Sequence, residues 1–222
     1  MSTLQPRLEV LPPDQQQFWP QLRAIPKGFV LYGGTALALR LGHRLSVDFD
    51  FFSATRFQPE PLQSQLGFAA NAEVLQKSEN TLSLRTSGTA GVRISFFGGL
   101  TFGQVEPPDR CDDVGIYVAG LKDLLATKLN TIYQRAEAKD YLDIDTLLTS
   151  GHTLALGLAC ARAIYRTTFN AMLPLKALTY FEDGDLPALP PDVKRRLVQA
   201  VETLTQVPTQ TLYSERISTP DA

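Results

Sequence analysis

Two aspartates, Asp48 and Asp50, lie two residues apart in the otherwise apolar stretch VDFDFF. In a β-strand, side chains at this spacing point to the same face, so the pattern predicts a strand with both carboxylates on one side. Neighbouring carboxylates repel each other unless a cation lies between them. Mg²⁺ is commonly held by one or two carboxylates together with substrate phosphates. The pair is therefore a candidate metal site, the alternative being a solvent-facing strand that binds nothing.

A glycine pair before these aspartates could hold a phosphate group. Gly33 and Gly34 follow a short apolar run, and Thr35 is expected to cap the helix that comes next. Glycine lets backbone N–H groups approach a ligand closely, and the N-terminus of a helix favours anions. Arg44 and Ser46 lie between the glycines and the aspartates, where the guanidinium could grip a triphosphate. Together these residues predict a phosphate-plus-metal arrangement.

A lysine in the second half of the chain occupies an unusual position. Lys128 falls in the apolar stripe of the predicted helix Leu121–Arg135, where burial costs free energy unless the ammonium reaches a charged cavity. The alternative is that the ammonium extends along the helix to solvent. Asp140 begins the next helix, where helix capping is the alternative to a functional role. Asp143, one turn further on, could simply lie on the solvent side.

The elements that must position these residues form two groups. Val47, Phe49 and Phe51 should face the core opposite the aspartates. Strand-like segments dominate the first half, and a 3.6-residue period dominates the second. The predicted strands are Phe29–Tyr32, Val47–Phe52, Glu73–Gln76, Thr81–Arg85, Val92–Phe97 and Gly115–Val118, and the predicted helices are Gln15–Ala24, Thr35–Leu41, Leu121–Arg135, Asp140–Thr149, Thr153–Phe169 and Pro191–Thr205. This order predicts an α+β fold, with a mixed β-sheet, flanking helices and a helical C-terminal half.

Composition narrows the class of protein. The 222 residues are 44% hydrophobic and 20% charged, with a formal net charge of −2, which excludes nucleic-acid binding by bulk positive charge. The two cysteines show no metal-binding spacing and favour a reducing compartment. The N-terminal segment lacks the apolar core of a signal peptide, and no uncharged apolar run approaches ~18 residues. We expect a cytoplasmic protein that does not enter a membrane.

The order of these motifs resembles the AbiEii/AbiGii toxin family of nucleotidyltransferases, a branch of the DNA polymerase beta-like superfamily. The resemblance covers most of the chain and is carried by four segments, LYGGTALALRLGHRLSVDFDFFS, VRISFF, DLLATKLNTIYQRAEAKDYLDIDTLL and KALTYFEDGDLPALPP. It implies a nucleotidyltransferase-like core over residues 1–119. A helical part over residues 120–222 would complete the active site.

The same resemblance implies a Mg²⁺- or Mn²⁺-dependent transfer of a nucleoside monophosphate from an NTP to RNA, such as tRNA, or to a protein. It also implies a toxin with a cognate antitoxin protein. Carried over by position, Gly34 and Thr35 would hold the β- and γ-phosphates. The full set of predicted nucleotide-binding residues is Gly33, Gly34, Thr35, Arg44, Ser46 and Lys128. The catalytic residues would be Asp48 and Asp50, which bind the metal, Lys128, which contacts phosphate, and Asp140, which orients Lys128 or acts as a base.

One position departs from the family pattern. Many polymerase beta-like enzymes carry a third carboxylate on a later strand, where this sequence has Ser95 within VRISFF. Glu106 or Asp140 could supply that carboxylate instead. Two alternatives therefore stay open, namely a nucleotide-binding or interaction protein that has kept the fold but lost catalysis, and a phosphotransferase that releases a nucleoside diphosphate.

Overall fold

A computed structural model of the chain describes residues 2–87 and 91–221. In this part of the chain the strands are β1 (Val30–Tyr32), β2 (Asp48–Phe52), β3 (Glu73–Ser78), β4 (Thr81–Arg85), β5 (Arg93–Phe97), β6 (Asp109–Arg110) and β7 (Tyr117–Val118). The α-helices are α1 (Pro13–Phe18), α2 (Gly33–Leu41), α3 (Pro59–Gln65), α4 (Leu121–Thr131), α5 (Ala138–Thr149), α6 (Leu154–Tyr165), α7 (Met172–Ala177) and α8 (Pro191–Glu202). Short 3₁₀ helices cover Leu8–Val10, Trp19–Ala24, Gly67–Ala69, Arg166–Thr168 and Leu186–Ala188.

The seven strands form one mixed sheet in the order β3-β4-β5-β2-β1-β7-β6. The pairs β2/β5 and β1/β7 are parallel, and the other neighbours are antiparallel. Strand β2, which carries both aspartates, therefore lies near the middle of the sheet between β5 and β1. The predicted α+β fold, with a mixed sheet and a helical second half, is confirmed.

The alternation of side chains along β2 follows the prediction except at its start. Phe49 and Phe51 are fully buried, whereas Asp48 and Asp50 are partly exposed. Val47, which was expected in the core, is 58% exposed and precedes the strand. The core-facing pattern therefore begins at Phe49, because Val47 precedes the strand and only residues within a strand alternate between its two faces.

Other differences from the prediction have local causes. The predicted helix Gln15–Ala24 divides into α1 and a 3₁₀ helix, Trp19–Ala24, because Pro20 has no N–H to continue α-helical hydrogen bonding. Helices α3 and α7 and strand β6 were not predicted. Each is seven residues or shorter, and both helices contain proline, so periodicity gives little signal.

The chain divides into two compact units. Among the described residues, the first unit takes 2–102, 107–120 and 216–221, and the second takes 103–106 and 121–215. The first unit contains the whole sheet, and the second contains α4 to α8. In the second unit, Gly157 of α6 lies so close to α4 that a Cβ would be 2.7 Å from the side chain of Leu125. The predicted division at residues 119 and 120 stays a prediction.

In the described part of the chain, no single helix is long and apolar enough to cross a membrane. Only the pair Ala138–Thr149 and Leu154–Thr168 has sufficient combined length and apolar character, and that pair is bent by 116°.

Candidate active site

The two aspartates of β2 share one face of the sheet. Their strand is fixed from the other face by Phe49 and Phe51, and the ring of Phe51 stacks on Phe96 with centroids 5.6 Å apart. Such packing removes conformational freedom from the strand, so the carboxylates are held by a rigid backbone. The first half of the predicted site therefore has the strand geometry that its spacing implied.

The glycine turn lies directly against these side chains. Gly33 begins α2 with φ of +74°, and a Cβ built there would be 3.0 Å from Oδ2 of Asp50. A Cβ at Gly34 would overlap Nη2 of Arg44 and would be 3.4 Å from Oγ of Ser46. The absence of side chains at both positions lets a carboxylate and a guanidinium approach the first turn of the helix. The sequence-predicted residues of this unit are thus brought together.

Thr35 and Ser46 stabilise this arrangement through buried hydrogen bonds. Thr35 does not cap α2, because the helix already begins at Gly33 with Tyr32 as its N-cap residue. Instead, the Thr35 hydroxyl donates to the carbonyl oxygen of Asp48, and it lies 2.7 Å from Oγ of Ser46. Both side chains are buried, so these hydrogen bonds fix the loop that enters β2. Their predicted contact with phosphate stays a prediction.

The donor set suits a cation that is shared with a substrate. Among the described residues, no group of three or more His, Cys, Asp or Glu side chains is arranged to hold a metal ion. Asp48 and Asp50 alone are a sufficient anchor for Mg²⁺, which keeps several ligands for water and phosphate oxygens. The oxygen-only chemistry of the pair and the close approach of the Asp50 carboxylate to Gly33, at the first turn of α2, fit one divalent cation bound together with a phosphate.

Ser95 occupies the position next to this pair on β5. Asp50 has Ser95 as its register partner, and Asp48 has Arg93, which sequence reasoning did not single out. Ser95 is buried, and its Oγ accepts a hydrogen bond from Ser83 at 3.0 Å. A hydroxyl in this position can accept or donate a hydrogen bond, but it supplies no negative charge. At this position of β5, next to Asp50, the chain therefore offers a hydroxyl and no third carboxylate.

Glu106, one of the alternatives for the third carboxylate, stabilises the start of α4. Its Oε1 accepts the N–H of Lys122 at 2.8 Å, as expected for an acidic residue at a helix N-terminus. The buried carboxylate of Asp123 accepts the N–H groups of Glu106 and Val105, both at 3.1 Å. Burial raises the pKa of Asp123 to about 7 despite the hydrogen bond from Val105. These contacts give Glu106 a structural role within the second unit.

In the second unit, Lys128 lies in a buried cluster of charges. Its Nζ is 2.6 Å from Oδ1 of Asp140 and 2.6 Å from Oδ2 of Asp143. Arg135 donates to both oxygens of Asp140, at 2.8 and 3.2 Å. Lys128 is only 6% exposed, so its ammonium does not extend to solvent. The two cations and two carboxylates balance each other, as buried charges require.

The electrostatics of this cluster bear on the role of Asp140. Burial alone would raise the pKa of Asp140, but the hydrogen bonds from Arg135 and the charge of Lys128 hold it below its ordinary value. A carboxylate with a lowered pKa is a poor proton acceptor, which favours an orienting role over that of a general base. Asp140 does not cap α5, whose N-cap residue is Glu137.

The structure excludes the solvent-facing alternative for Asp143. Its side chain is fully buried and paired with Lys128. The signal was present, because residues three apart on a helix are neighbours on one face, so Asp140 and Asp143 were bound to point the same way.

Comparisons with known proteins show which family the chain resembles in sequence. The profile of the family described as "Nucleotidyl transferase AbiEii toxin, Type IV TA system" matches residues 22–209. An uncharacterized protein of Aquifex aeolicus (strain VF5), aq_aa25, is 35% identical over 162 residues, covering 70% of this chain and 75% of that protein.

Solved structures share the fold at low sequence identity. The nucleotidyltransferase toxin MenT4 of Mycobacterium tuberculosis H37Rv aligns with a TM-score of 0.56 at 14% identity, covering 84% of this chain and 82% of that one. A crystal structure of an H. pylori protein aligns with a TM-score of 0.53, also at 14% identity, over 85% of this chain and 91% of that one.

Proposed function

Because the chain belongs to the AbiEii family of nucleotidyltransferase toxins, we propose that it transfers a nucleoside monophosphate from an NTP to an RNA, such as tRNA, or to a protein. A hydroxyl oxygen of the acceptor forms a bond to the α-phosphorus, the bond from that phosphorus to pyrophosphate breaks, and the hydroxyl proton leaves. We further propose that a cognate antitoxin protein opposes this activity in the cell.

One observation carries the proposal. The carboxylate of Asp50 and the guanidinium of Arg44 both lie against the side-chain-free first turn of α2, at Gly33 and Gly34. Backbone N–H groups at a helix N-terminus and a guanidinium are two groups that proteins use to bind phosphate. An acidic strand beside such a cradle supports binding of a nucleotide together with a divalent cation.

Asp48 and Asp50 would hold the Mg²⁺ or Mn²⁺ ion. When bound, this ion would neutralise phosphate charge during the transfer. The remaining steps fall to the chain's own groups. Arg44 and the N–H groups of the α2 first turn bind and orient the triphosphate, and the buried phenylalanines of β2 keep the aspartates in place. In transfer of this kind, the protein contributes mainly positioning and charge stabilisation.

We assign the second unit a supporting role in the same reaction. Lys128 would contact a phosphate group, and Asp140 would orient its ammonium. Two of the three N–H donors of Lys128 point to Asp140 and Asp143, at 2.6 Å each. Within the described residues, these two contacts leave one of the three donors of the ammonium for a ligand.

A second candidate function follows from Ser95. With a hydroxyl in place of the third carboxylate, the chain could bind Mg²⁺ and NTP without transferring anything. This alternative predicts metal-dependent NTP binding in calorimetry and no change to any acceptor.

Labelling separates the two candidates. The purified protein is incubated with each α-³²P-labelled NTP, Mg²⁺ and total tRNA or total protein, and the acceptors are resolved on gels. We expect label on one acceptor class with the wild type and none with the Asp48→Ala, Asp50→Ala variant. Equal labelling by both proteins would refute the assignment of the aspartates.

A further inference from the structure

Of the four charged side chains in the buried cluster of the second unit, only that of Arg135 reaches solvent. It is 45% exposed, whereas the side chains of Lys128, Asp140 and Asp143 are buried. Helix α4 ends at Thr131, so Arg135 lies in the segment that leads to α5 and not on the helix that carries Lys128. From this segment, its guanidinium reaches Asp140 from the outer side of the cluster.

The contact between Arg135 and Asp140 fixes the plane of the carboxylate. Nε of Arg135 donates to Oδ2 at 2.8 Å, and Nη2 donates to Oδ1 at 3.2 Å. Two hydrogen bonds from one guanidinium hold a carboxylate in the plane of that group, which a single point charge cannot do. Oδ1 is also the atom that Nζ of Lys128 contacts, at 2.6 Å. The position of Arg135 therefore determines the direction from which Oδ1 meets the ammonium.

The segment that carries Arg135 is itself held in place. The N–H of Ala138 donates to Oδ1 of Asp185 at 2.6 Å. Gly184 packs so closely against the carbonyl oxygen of Ala136 that a side chain at Gly184 would overlap it. These contacts restrict the backbone that follows Arg135, so the guanidinium is presented to Asp140 from a fixed support.

The ammonium of Lys128 needs such a support. It ends a flexible stem of four carbons and has no directional preference of its own. In the structure it lies between Oδ1 of Asp140 and Oδ2 of Asp143, 2.6 Å from each. Two fixed oxygens define the position of the nitrogen and therefore the direction of its third N–H. Without Arg135, both buried carboxylates would face the single charge of Lys128, which would oppose the approach of a phosphate.

We propose that Arg135 is a positioning residue for nucleotide binding. It acts through Asp140 to hold the ammonium of Lys128 where its third N–H can donate to a phosphate group of the NTP. The inference rests on the proposed function, which assigns Lys128 to the nucleotide. It adds that the bidentate geometry of the guanidinium is required, that positive charge at position 135 is not sufficient, and that Arg135 does not contact the nucleotide.

The surroundings of Arg135 permit a chemical-rescue experiment. Its side chain lines a cavity of about 460 Å³, together with Tyr133 and Tyr141 among others. The substitution Arg135→Ala leaves further space there, which ethylguanidinium can enter to form the same two hydrogen bonds with Asp140. Ethylammonium carries the same charge but lacks the planar arrangement of donors. The comparison of the two cations therefore separates geometry from charge.

The measured quantity is the dissociation constant of each NTP with Mg²⁺, obtained by calorimetry on the full-length protein. We expect Arg135→Ala to raise it roughly tenfold, because a charge-assisted hydrogen bond to phosphate is lost. Millimolar ethylguanidinium should restore most of the affinity, and ethylammonium should not. Arg135→Lys should bind about as weakly as Arg135→Ala. The matched control is Lys139→Ala, which removes an exposed cation that pairs with Glu137 at 2.7 Å and should leave the affinity unchanged.

A double-mutant cycle shows whether Arg135 acts through Asp140. Asp140→Asn keeps the shape of the side chain, and the double variant keeps a balanced pair, Lys128 and Asp143. In the Asp140→Asn background, Arg135→Ala should have little further effect on NTP affinity, and ethylguanidinium should not restore it. Additive losses would mean that Arg135 contacts the nucleotide or acts only on the fold, and they would overturn the inference. Circular dichroism verifies that each variant is folded at the temperature of the titration.

The single variants also decide the matter without the cycle. Equal NTP affinity of Arg135→Ala and the wild type would overturn the inference, as would equal rescue by the two cations or full affinity of Arg135→Lys.

The two proposals fail in different ways. Arg135-dependent NTP binding without any nucleotidyl transfer would refute the proposed function and leave the positioning role standing. Transfer that requires the aspartates, with NTP affinity and pyrophosphate release unaffected by Arg135→Ala, would refute only the inference. A wild type that binds no NTP would overturn both.

Discussion

Replacing Lys128 with methionine tests the buried charge cluster of the second unit. Methionine fills a similar volume, so the substitution removes the ammonium while largely preserving the packing. Asp140 would keep its two hydrogen bonds from Arg135, but Asp143 would lose the ammonium that lies 2.6 Å from its Oδ2. Both carboxylates are fully buried, so water cannot replace the lost partner.

The magnitude follows from this asymmetry. Removing one partner of a buried ion pair typically destabilises a protein by 3–5 kcal/mol, because a buried charge is left uncompensated. Since Arg135 still compensates Asp140 and Lys128 is not the sole interaction of Asp143, we expect the lower end, about 3 kcal/mol. In a chain of this size, that corresponds to a fall in melting temperature of roughly 6–12 °C.

The assay is thermal unfolding followed by circular dichroism at pH 7.5. Lys139→Met is the matched control, because Lys139 also pairs with a carboxylate, Glu137, at 2.7 Å, but both of these side chains are largely exposed. Exposed pairs contribute ~0–1 kcal/mol, so this variant should melt close to the wild type. If Lys128→Met also melts close to Lys139→Met at pH 7.5, the reasoning about the buried cluster is refuted.

Three further substitutions probe other parts of the account. Gly34→Ala should raise the dissociation constant for NTP in calorimetry while leaving the melting temperature nearly unchanged. The reason is that the new Cβ displaces the flexible end of the Arg44 side chain and no backbone atom. A loss of stability with normal NTP affinity would argue against phosphate binding at the first turn of α2. Asp123→Asn should become more stable relative to wild type as pH rises from about 4 to 7. The pKa of Asp123 in the folded state, about 7, lies above its unfolded value, so between these two values the folded wild type binds more protons than the unfolded chain. The free energy of unfolding of the wild type therefore falls as pH rises, by up to about 1.4 kcal/mol per pH unit, whereas that of the variant does not. Parallel pH profiles of the two proteins would contradict this. Ser95→Asp adds a carboxylate beside Asp50, so Mg²⁺ should raise the melting temperature of this variant more than that of the wild type. An equal increase in both proteins would show that position 95 does not face the metal.

The sequence determined those parts of the fold that depend on local patterns. Strand β4 has the predicted bounds, and α2 ends at Leu41 with Gly42 in the left-handed conformation, because a run of Ala and Leu followed by glycine is a local helix-and-stop signal. Helix α4 starts as predicted at Leu121 but ends at Thr131, four residues early. Where a helix stops depends on tertiary contacts as well as on periodicity, so its end was less predictable.

The candidate site shows the same division between local and distant information. The common face of Asp48 and Asp50 follows from the two-residue spacing within one strand. Their proximity to Gly33 required the pairing of β1 with β2, which the sequence order only suggested. The position of Arg93 opposite Asp48 depends on the register of β5 against β2, and no local pattern in the sequence specifies that register. The hydrogen bond between Ser83 and Ser95 depends on the same long-range pairing.

We propose that Asp48 and Asp50 enable transfer of a nucleoside monophosphate. The most direct test is acceptor-dependent release of pyrophosphate from NTP, compared between the wild type and an Asp48→Asn, Asp50→Asn variant that keeps the shape of both side chains. We predict Mg²⁺-dependent pyrophosphate release by the wild type and a loss of at least about a hundredfold in the variant. Release of nucleoside diphosphate instead, or equal pyrophosphate release by both proteins, would contradict the account.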